Sequence, residues 1–275
     1  MSIDKLKKFI IIFIVLGLSI KLSAADSKIT ESKNEFGGKT VEFTLSPDDN
    51  DYDRLTKVRF YYDASNNKRK ITYYLSEKTA EESGYIIQEE YLAEDKPIEY
   101  RMYYSAEEAE KSGITTLIER VNSPNCLIYS DGKQTVYSNK NSFVHNYPIL
   151  KLSYLEKEFF SDLKSHKSEG DIYIVSALYK KARSFVTFTS DFTELDKTDE
   201  EILLRYLTAM GIPEMKDYYL KKSYAESEGK TYTVYIQKNL EPYIKKGLTC
   251  LLAYGIIGYN KEVFLISTEF EEISE

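Results

Sequence analysis

Hydrophobic and polar residues alternate in short runs over most of the first half of this chain. Val58–Tyr62, Lys68–Leu75, Tyr85–Leu92, Glu99–Tyr104 and Ile114–Val121 each carry the period-two pattern of a strand with two different faces. Between the second and third runs, and again between the fourth and fifth, lies a short helical pattern opened by Ser76 or Ser105 and closed by Gly84 or Gly113. Ser105-Ala106-Glu107-Glu108 reads as a capping box. The two stretches are copies. Residues 73–92 realign on themselves 29 residues later, with Tyr74, Ser76, Ala80, Glu81, Ser83, Gly84 and Glu90 meeting Tyr103, Ser105, Ala109, Glu110, Ser112, Gly113 and Glu119. A helix of two turns does not persist alone in water. Each unit is therefore expected to be a hairpin whose loop has become a small helix, docked through Ala80 or Ala109.

Further hairpin signals bracket the copies. Ala64-Ser65-Asn66-Asn67 separates two strands, Thr40–Leu45 adds another, and Asp131-Gly132 turns Leu127–Ser130 into Lys133–Tyr137. Residues 38–140 are expected to form an antiparallel meander of about eight strands. The stretch Ile128-Tyr129-Ser130-Asp131-Gly132-Lys133 with Tyr137 resembles a MORN-type hairpin repeat, in its aromatic, its Asp-Gly-Lys and its Tyr. The resemblance covers at most residues 57–140. The other units lack the family's Gly-rich pattern and its Trp. It implies an interaction scaffold without catalysis.

From about residue 150 the period changes. Ser153-Tyr154-Leu155-Glu156 reads as a capping box, with Leu155, Phe159 and Leu163 on one helix face. Strands are expected at Asp171–Tyr179 and Ser184–Phe192. A second helix opens at Thr198-Asp199-Glu200-Glu201, buries Ile202, Leu203, Tyr206, Leu207 and Met210, and stops at Gly211 before Pro213. Four strands follow: Tyr218–Glu226, Lys230–Gln237, Leu248–Ile257 and Glu262–Phe270. The expected fold is α+β, with an N-terminal antiparallel meander of hairpin repeats and a C-terminal antiparallel sheet carrying helices on one face. The domains expected are residues 38–140 and 141–275, divided near 139–150 where Asn139, Asn141, Asn146 and Pro148 punctuate the chain. Residues 26–37 are expected to be a flexible lead-in.

The first 25 residues change the picture of where the protein works. Lys5, Lys7 and Lys8 precede a 12-residue apolar stretch, Phe9–Ile20, and Ser23 and Ala25 occupy the −3 and −1 positions of a cleavage site. Twelve residues of helix reach only about 18 Å, short of a bilayer core of about 30 Å. A cleaved signal peptide and an exported product, periplasmic or extracellular, are expected, with no membrane span afterwards. Cleavage would move the formal net charge from −7 to −10 by removing Lys5, Lys7, Lys8, Lys21 and Asp4. An acidic chain without a basic patch is a poor partner for nucleic acid or anionic lipid.

The candidate chemistry is sparse. There are two histidines, His145 and His166, and none of the nucleophile-elbow, zinc-protease or phosphate-loop motifs. No enzyme activity, cofactor or metal site is expected. Asp49, Asp51 and Asp53 alternate as in an EF-hand loop, but Arg54 and Phe60 stand where its Gly and closing Glu belong, which favours a solvated turn. Tyr is abundant, at 25 residues against no Trp, and suits half-buried sheet surfaces. The expected function is therefore an exported, non-catalytic module that meets a protein or envelope component through Tyr61, Tyr73, Tyr74, Tyr103 and Tyr104. The alternative is a periplasmic binding protein that holds a small apolar or amphipathic ligand among Tyr173, Tyr206, Tyr235 and Tyr254. Cys126 and Cys250 are a candidate disulfide in an oxidising compartment, although Cys250 in Leu248–Leu252 also reads as a free core thiol.

Overall fold

The computed structural model describes residues 28–47, 51–121, 123, 126–165, 181–259 and 262–274. The expected signal peptide, the expected strand at Asp171–Tyr179, His166 and Tyr173 lie outside these residues, and Phe159 and Leu163 outside the described side chains. The protein is mostly β. Two compact units form. One is the chain up to Glu108 with Thr116–Pro124, and the other is Ala109–Thr115 with the chain from Asn125 onward. The expected division near 139–150 falls inside the second unit, because the hairpin at residues 126–139 pairs with the C-terminal strand.

The first unit is one antiparallel meander of seven strands in sequence order: β1 Lys28–Lys33, β2 Gly37–Thr44, β3 Leu55–Asp63, β4 Lys68–Leu75, β5 Tyr85–Ala93, β6 Lys96–Tyr104 and β7 Thr116–Arg120. Lys28–Lys33, expected to be a flexible lead-in, is a strand that pairs along its full length with β2. The β3–β4 turn is held by Asp63, whose Oδ1 accepts from the Ser65 and Asn67 amides at 2.9 and 2.8 Å.

Both copies of the repeat adopt the expected strand–helix–strand form. Helix α1, Glu77–Ser83, is capped by Ser76, whose side chain accepts from the Thr79 amide. Helix α2, Ala106–Ser112, is capped in the same way by Ser105, which accepts from Glu108 at 3.2 Å. Gly84 and Gly113 end the helices with φ of 79° and 75°. Their amides bond back to Ala80 and Ala109 at 2.8 and 2.9 Å. A side chain at φ > 0 costs about 1–2 kcal/mol. Gly84→Val and Gly113→Val are each expected to lose at least that much in thermal melts, with Glu82→Ala on the exposed side of α1 silent. Gly84→Val should lose more, because a Cβ there meets Glu108 Cγ at 3.0 Å, whereas one at Gly113 has 3.6 Å to Lys151.

The second unit departs from the expected one-sided antiparallel sheet. It comprises hairpin β8–β9 (Cys126–Ser130, Thr135–Asn139), helix α3 (Leu152–Ser165), β10 (Lys181–Phe188), the short β11 (Thr193–Glu194), helix α4 (Lys197–Ala209), a 3₁₀ turn (Pro213–Tyr218), β12 (Tyr219–Ser227), β13 (Lys230–Gln237), β14 (Thr249–Tyr259) and β15 (Glu262–Ser274). β10, β12, β13, β15 and β14 pair in that order, and β14 pairs back on β10, so five strands close into a ring. The β13–β15 pairing is parallel. Closure follows from the length and bending of the last two strands. β15 runs 13 residues, pairs with β14, β13 and β9, and the β14–β15 ladder shifts register at Ala253/Tyr254. Such a bulge bends the strands enough to curl a sheet.

The ring is filled by side chains. Val186, Phe188, Ala225, Tyr232, Val234, Ile236, Cys250, Leu252, Tyr254, Ile256 and Leu265 form the interior, and Leu152 and Leu155 of α3 join them. Outside, α4 lays Ile202, Leu203, Tyr206 and Leu207 on Tyr235, Ile257, Phe264 and Ile266. Burial on both sides explains the unbroken apolar run Leu251–Ile257. The helix starts differ from the expected ones. α4 is capped by Asp196 in a capping box with Asp199, two residues before Thr198. Ser153 lies within α3 and gives its hydroxyl to Glu228 at 2.5 Å.

Candidate interaction surface

The register of the first unit sorts its side chains into two faces. One is apolar, with Val58, Ile71, Tyr73 and Leu92 buried alongside Leu45 and Leu55. The other is polar and aromatic, and it is organised as three rows that run across the strands. Thr40, Tyr61, Lys70, Tyr91, Glu99 and Arg120 pair in succession. Next to them run Glu42, Arg59, Thr72, Glu89, Arg101 and Ile118. The third row is Thr44, Lys57, Tyr74, Ile87, Tyr103 and Thr116. Two tyrosine-bearing rows thus flank a central row of alternating charge.

The centre of this face is Glu89. Its Oε2 accepts from the hydroxyls of Tyr103 and Tyr91 at 2.8 and 2.9 Å, and its Oε1 lies 3.2 Å from Lys70 Nζ. Lys70 is nearly buried, reaches Glu35 at 3.1 Å, and stacks over the rings of Tyr61 and Tyr91 at 4.2 and 5.7 Å. Arg101 covers Tyr91 at 4.6 Å and bonds Glu99 at 2.7 Å, which also meets Arg120 at 3.2 Å. At the other end, Glu42 pairs with Arg59 and with Lys57 at 3.5 Å, and both cations lie over Tyr74. Each of these cations is matched by a carboxylate, so the face carries alternating but balanced charge.

The electrostatics follow from this pairing. Burial alone would weaken the Lys70 ammonium, but Glu89, Glu35 and the neighbouring Tyr91 outweigh it and push its pKa up to about 12. Burial likewise works against the Glu89 carboxylate, yet hydrogen bonds from Tyr103 and Tyr91 and the Lys70 charge hold it below its ordinary value of 4.5. A lowered folded pKa means that the unfolded chain binds more protons in that window. The stability contributed by Glu89 is therefore present above 4.5 and is lost as pH falls through the folded value. Urea melts of Glu89→Gln are expected to show a loss of about 1–3 kcal/mol at neutral pH and a shallower fall on acidification than the parent chain.

The tyrosines expected to form the surface divide between the faces. Tyr61, Tyr74 and Tyr103 belong to the polar face. Tyr73 is in the apolar cluster with its hydroxyl on Glu90 at 3.2 Å, and Tyr104 packs edge-on against Tyr85 beyond a bulge. Sequence reading missed Tyr91, Glu89, Lys70, Arg59 and Arg101. Their signal is strand parity: Lys57, Arg59 and Tyr61, then Lys70, Thr72 and Tyr74, share alternate positions with Ile87, Glu89 and Tyr91 and with Glu99, Arg101 and Tyr103.

The expected tyrosine-lined ligand pocket does not form from its described members. Tyr254 points into the filled ring and shares a 2.5 Å hydrogen bond with Ser184, whereas Tyr206 and Tyr235 lie outside the ring under α4. Alternation along β14 and β13 puts these side chains on opposite sides of the wall. Cys126 and Cys250 are free thiols. Cys250 lies on the interior row with Leu252 and Tyr254, enclosed by the packing, and burial raises its pKa to about 12.

A small groove of about 290 Å³ at the start of α4 holds Asp196, Asp199 and Glu262. Asp199 is committed there: its carboxylate takes Lys222, the Tyr235 hydroxyl at 3.1 Å and the Asp196 amide at 3.0 Å. Asp51 and Asp53 lie in the turn ahead of β3, and among the described residues no group of three or more His, Cys, Asp or Glu is placed to hold a metal ion. Among the same residues no helix is long and apolar enough to cross a membrane. No family model and no curated protein matches the chain.

Proposed function

We propose that the protein is an exported, non-catalytic binding module that engages a partner through the polar tyrosine face of its seven-stranded sheet. The observation that carries this reading is the three-row arrangement. A protein that needs only a stable sheet can leave a solvent face irregular, whereas here Tyr61, Tyr74, Tyr91 and Tyr103 are spread over four successive strands and braced by Lys70, Glu89, Arg59 and Arg101. Half-buried tyrosines held by neighbours present a large contact area with little entropy left to lose on binding. The basic stretch, apolar stretch and small-residue site of residues 1–25 support export, and the MORN-type likeness carried by Ile128–Lys133 and Tyr137 supports a scaffold role.

The test is recovery of envelope components on the immobilised full chain. A Tyr61→Ala, Tyr74→Ala, Tyr103→Ala triple variant is expected to lose the bound material. A Tyr73→Phe variant, altered only at a hydroxyl on the opposite face, is expected to keep it. Equal recovery by the triple variant and the parent would overturn the reading.

A further inference from the structure

The polar face has a geometry that selects its ligand by chemistry, and this inference rests on the binding role proposed above. The hydroxyls of Tyr91 and Tyr103 both reach inward to one oxygen of Glu89, at 2.9 and 2.8 Å. Tyr91 is two residues from Glu89 on the same strand, and Tyr103 pairs with Ile87 in the neighbouring row. To reach that oxygen, both rings must lean along the sheet instead of standing off it. The two rings lie inward from either side of the charged central row, each half-exposed, and the strip they bound across the strands is the trough.

Along each side the tyrosines recur on every second strand: Tyr61 on β3 and Tyr91 on β5 in one row, Tyr74 on β4 and Tyr103 on β6 in the other. Two strand spacings are about 10 Å. That matches the distance between alternate rings of an extended 1,4-linked sugar chain. At the β1–β3 end the face opens into a groove of about 430 Å³, lined among others by Ser32, Asn34, Glu35, Glu42, Arg59 and Tyr61. Lys70 joins the groove to the trough, because it pairs with Glu35 at the rim and Glu89 at the centre.

The central row decides the charge of the occupant. Glu42, Arg59, Glu89 and Arg101 alternate in sign along one row. A polyanion would meet Glu42 and Glu89, and a polycation would meet Arg59 and Arg101, so either suffers like-charge contacts. A hydroxyl both donates and accepts, and so satisfies guanidinium and carboxylate in turn. An extended peptide gains its affinity from a free sheet edge, and this trough lies across the interior of the sheet. We infer that the trough binds a neutral, linear, 1,4-linked oligosaccharide laid across the strands, with its sugar faces on the tyrosines and its hydroxyls on the central row.

The test is isothermal titration of the full chain with chitohexaose and cellohexaose, with maltohexaose as the coiled control and polygalacturonate as the charged control. At least one of the two extended hexasaccharides is expected to bind, and binding of maltohexaose alone overturns the inference. Tyr91→Ala and Tyr103→Ala are each expected to weaken binding of the extended hexasaccharide about tenfold or more, and Tyr73→Phe on the opposite face to leave it unchanged. Tyr91→Phe, which keeps the ring and loses the hydroxyl, provides the variant that folds if Tyr91→Ala does not. It is expected to bind within a few-fold of the parent, and a tenfold loss there would count against ring stacking. Binding that is indifferent to the tyrosines, or binding of polygalacturonate alone, overturns the inference. If no hexasaccharide binds while envelope material is still captured through Tyr61, Tyr74 and Tyr103, the sugar assignment fails and the binding role stands. If both assays are empty, both fail.

Discussion

Arg183→Met is expected to lower the stability of the second unit by about 3–5 kcal/mol, because it removes one partner of a buried ion pair. For a chain of this length that is a fall of about 10 °C in melting temperature. Arg183 is 2% exposed. Its guanidinium donates to Ser138 Oγ at 2.9 Å, to the Tyr129 hydroxyl at 3.1 Å, to the carbonyls of His145 and Tyr147 at 3.1 Å each, and to Glu271 at 3.3 Å. It also lies 5.1 Å from the Tyr129 ring centroid. One side chain thus ties β8, β9, the 145–147 segment and β15 to its own strand, β10. Its removal leaves the largely covered Glu271 with only Ser138 at 2.7 Å among the described hydrogen bonds.

Burial already raises the pKa of Glu271, against the opposing effects of Ser138 and Arg183. Without the arginine, the carboxyl would be raised further. A folded pKa above the unfolded value means stability that falls as pH rises through the window between them. The deficit of Arg183→Met should therefore narrow as pH falls towards the ordinary carboxylate value of 4.5. The double variant Arg183→Met, Glu271→Leu is expected to recover much of the loss at neutral pH, since an apolar replacement of a whole buried pair is often close to neutral. Denaturant melts of the three proteins decide this. Additive losses would mean that the two residues do not act as a pair.

Gly255→Ala is expected to destabilise the same unit by about 1–3 kcal/mol or more, and Gly255→Val by more again. A Cβ on Gly255 would stand 2.8 Å from Cζ of Tyr206 and closer still to its hydroxyl oxygen. Tyr206 is 5% exposed and packed with Leu203, Leu207 and Tyr219 between α4 and the strands, so its ring has no free space to swing into. The glycine is thus the seat on which α4 rests. Tyr206→Leu alone should leave a cavity and cost stability. Combined with Gly255→Ala it should cost less than the sum of the two, because the Leu side chain ends short of the added methyl. A double-variant melt at or below the additive value would show that α4 is held some other way.

These two sites mark the limit of what could be read from the chain alone. Local features were legible wherever a few neighbouring residues decide the outcome. Gly84 and Gly113 announce left-handed helix ends because side chains avoid that conformation. Ser76 and Ser105 announce helix starts because their oxygens accept orphan amides. Alternation at Lys68–Leu75 and Glu99–Tyr104 announces two-faced strands, the second of which starts earlier, at Lys96. The antiparallel meander follows from these signals, since strands joined by tight turns have no nearer partner.

What the sequence left open depends on pairings between residues far apart. That β14 returns to β10 and that β15 lies parallel to β13 rests on ladders spanning up to 74 residues, and no local pattern encodes them. The expected gathering of Tyr206, Tyr235 and Tyr254 around one ligand failed for this reason: ring closure, not composition, puts Tyr254 inside and Tyr235 outside. The polar face of the first unit was half legible. Parity within each strand says which residues share a side, but the bulges between Tyr61 and Tyr62 and between Tyr85 and Ile87 reset that parity. Only the register across strands brings Tyr91 and Tyr103 together on Glu89. The sequence by itself determined the repeat, its caps and its turns, because these are decided within a few residues by sterics and hydrogen bonding. The tertiary structure decided the closed ring, the Arg183 junction and the tyrosine trough, because each depends on which distant strands lie side by side.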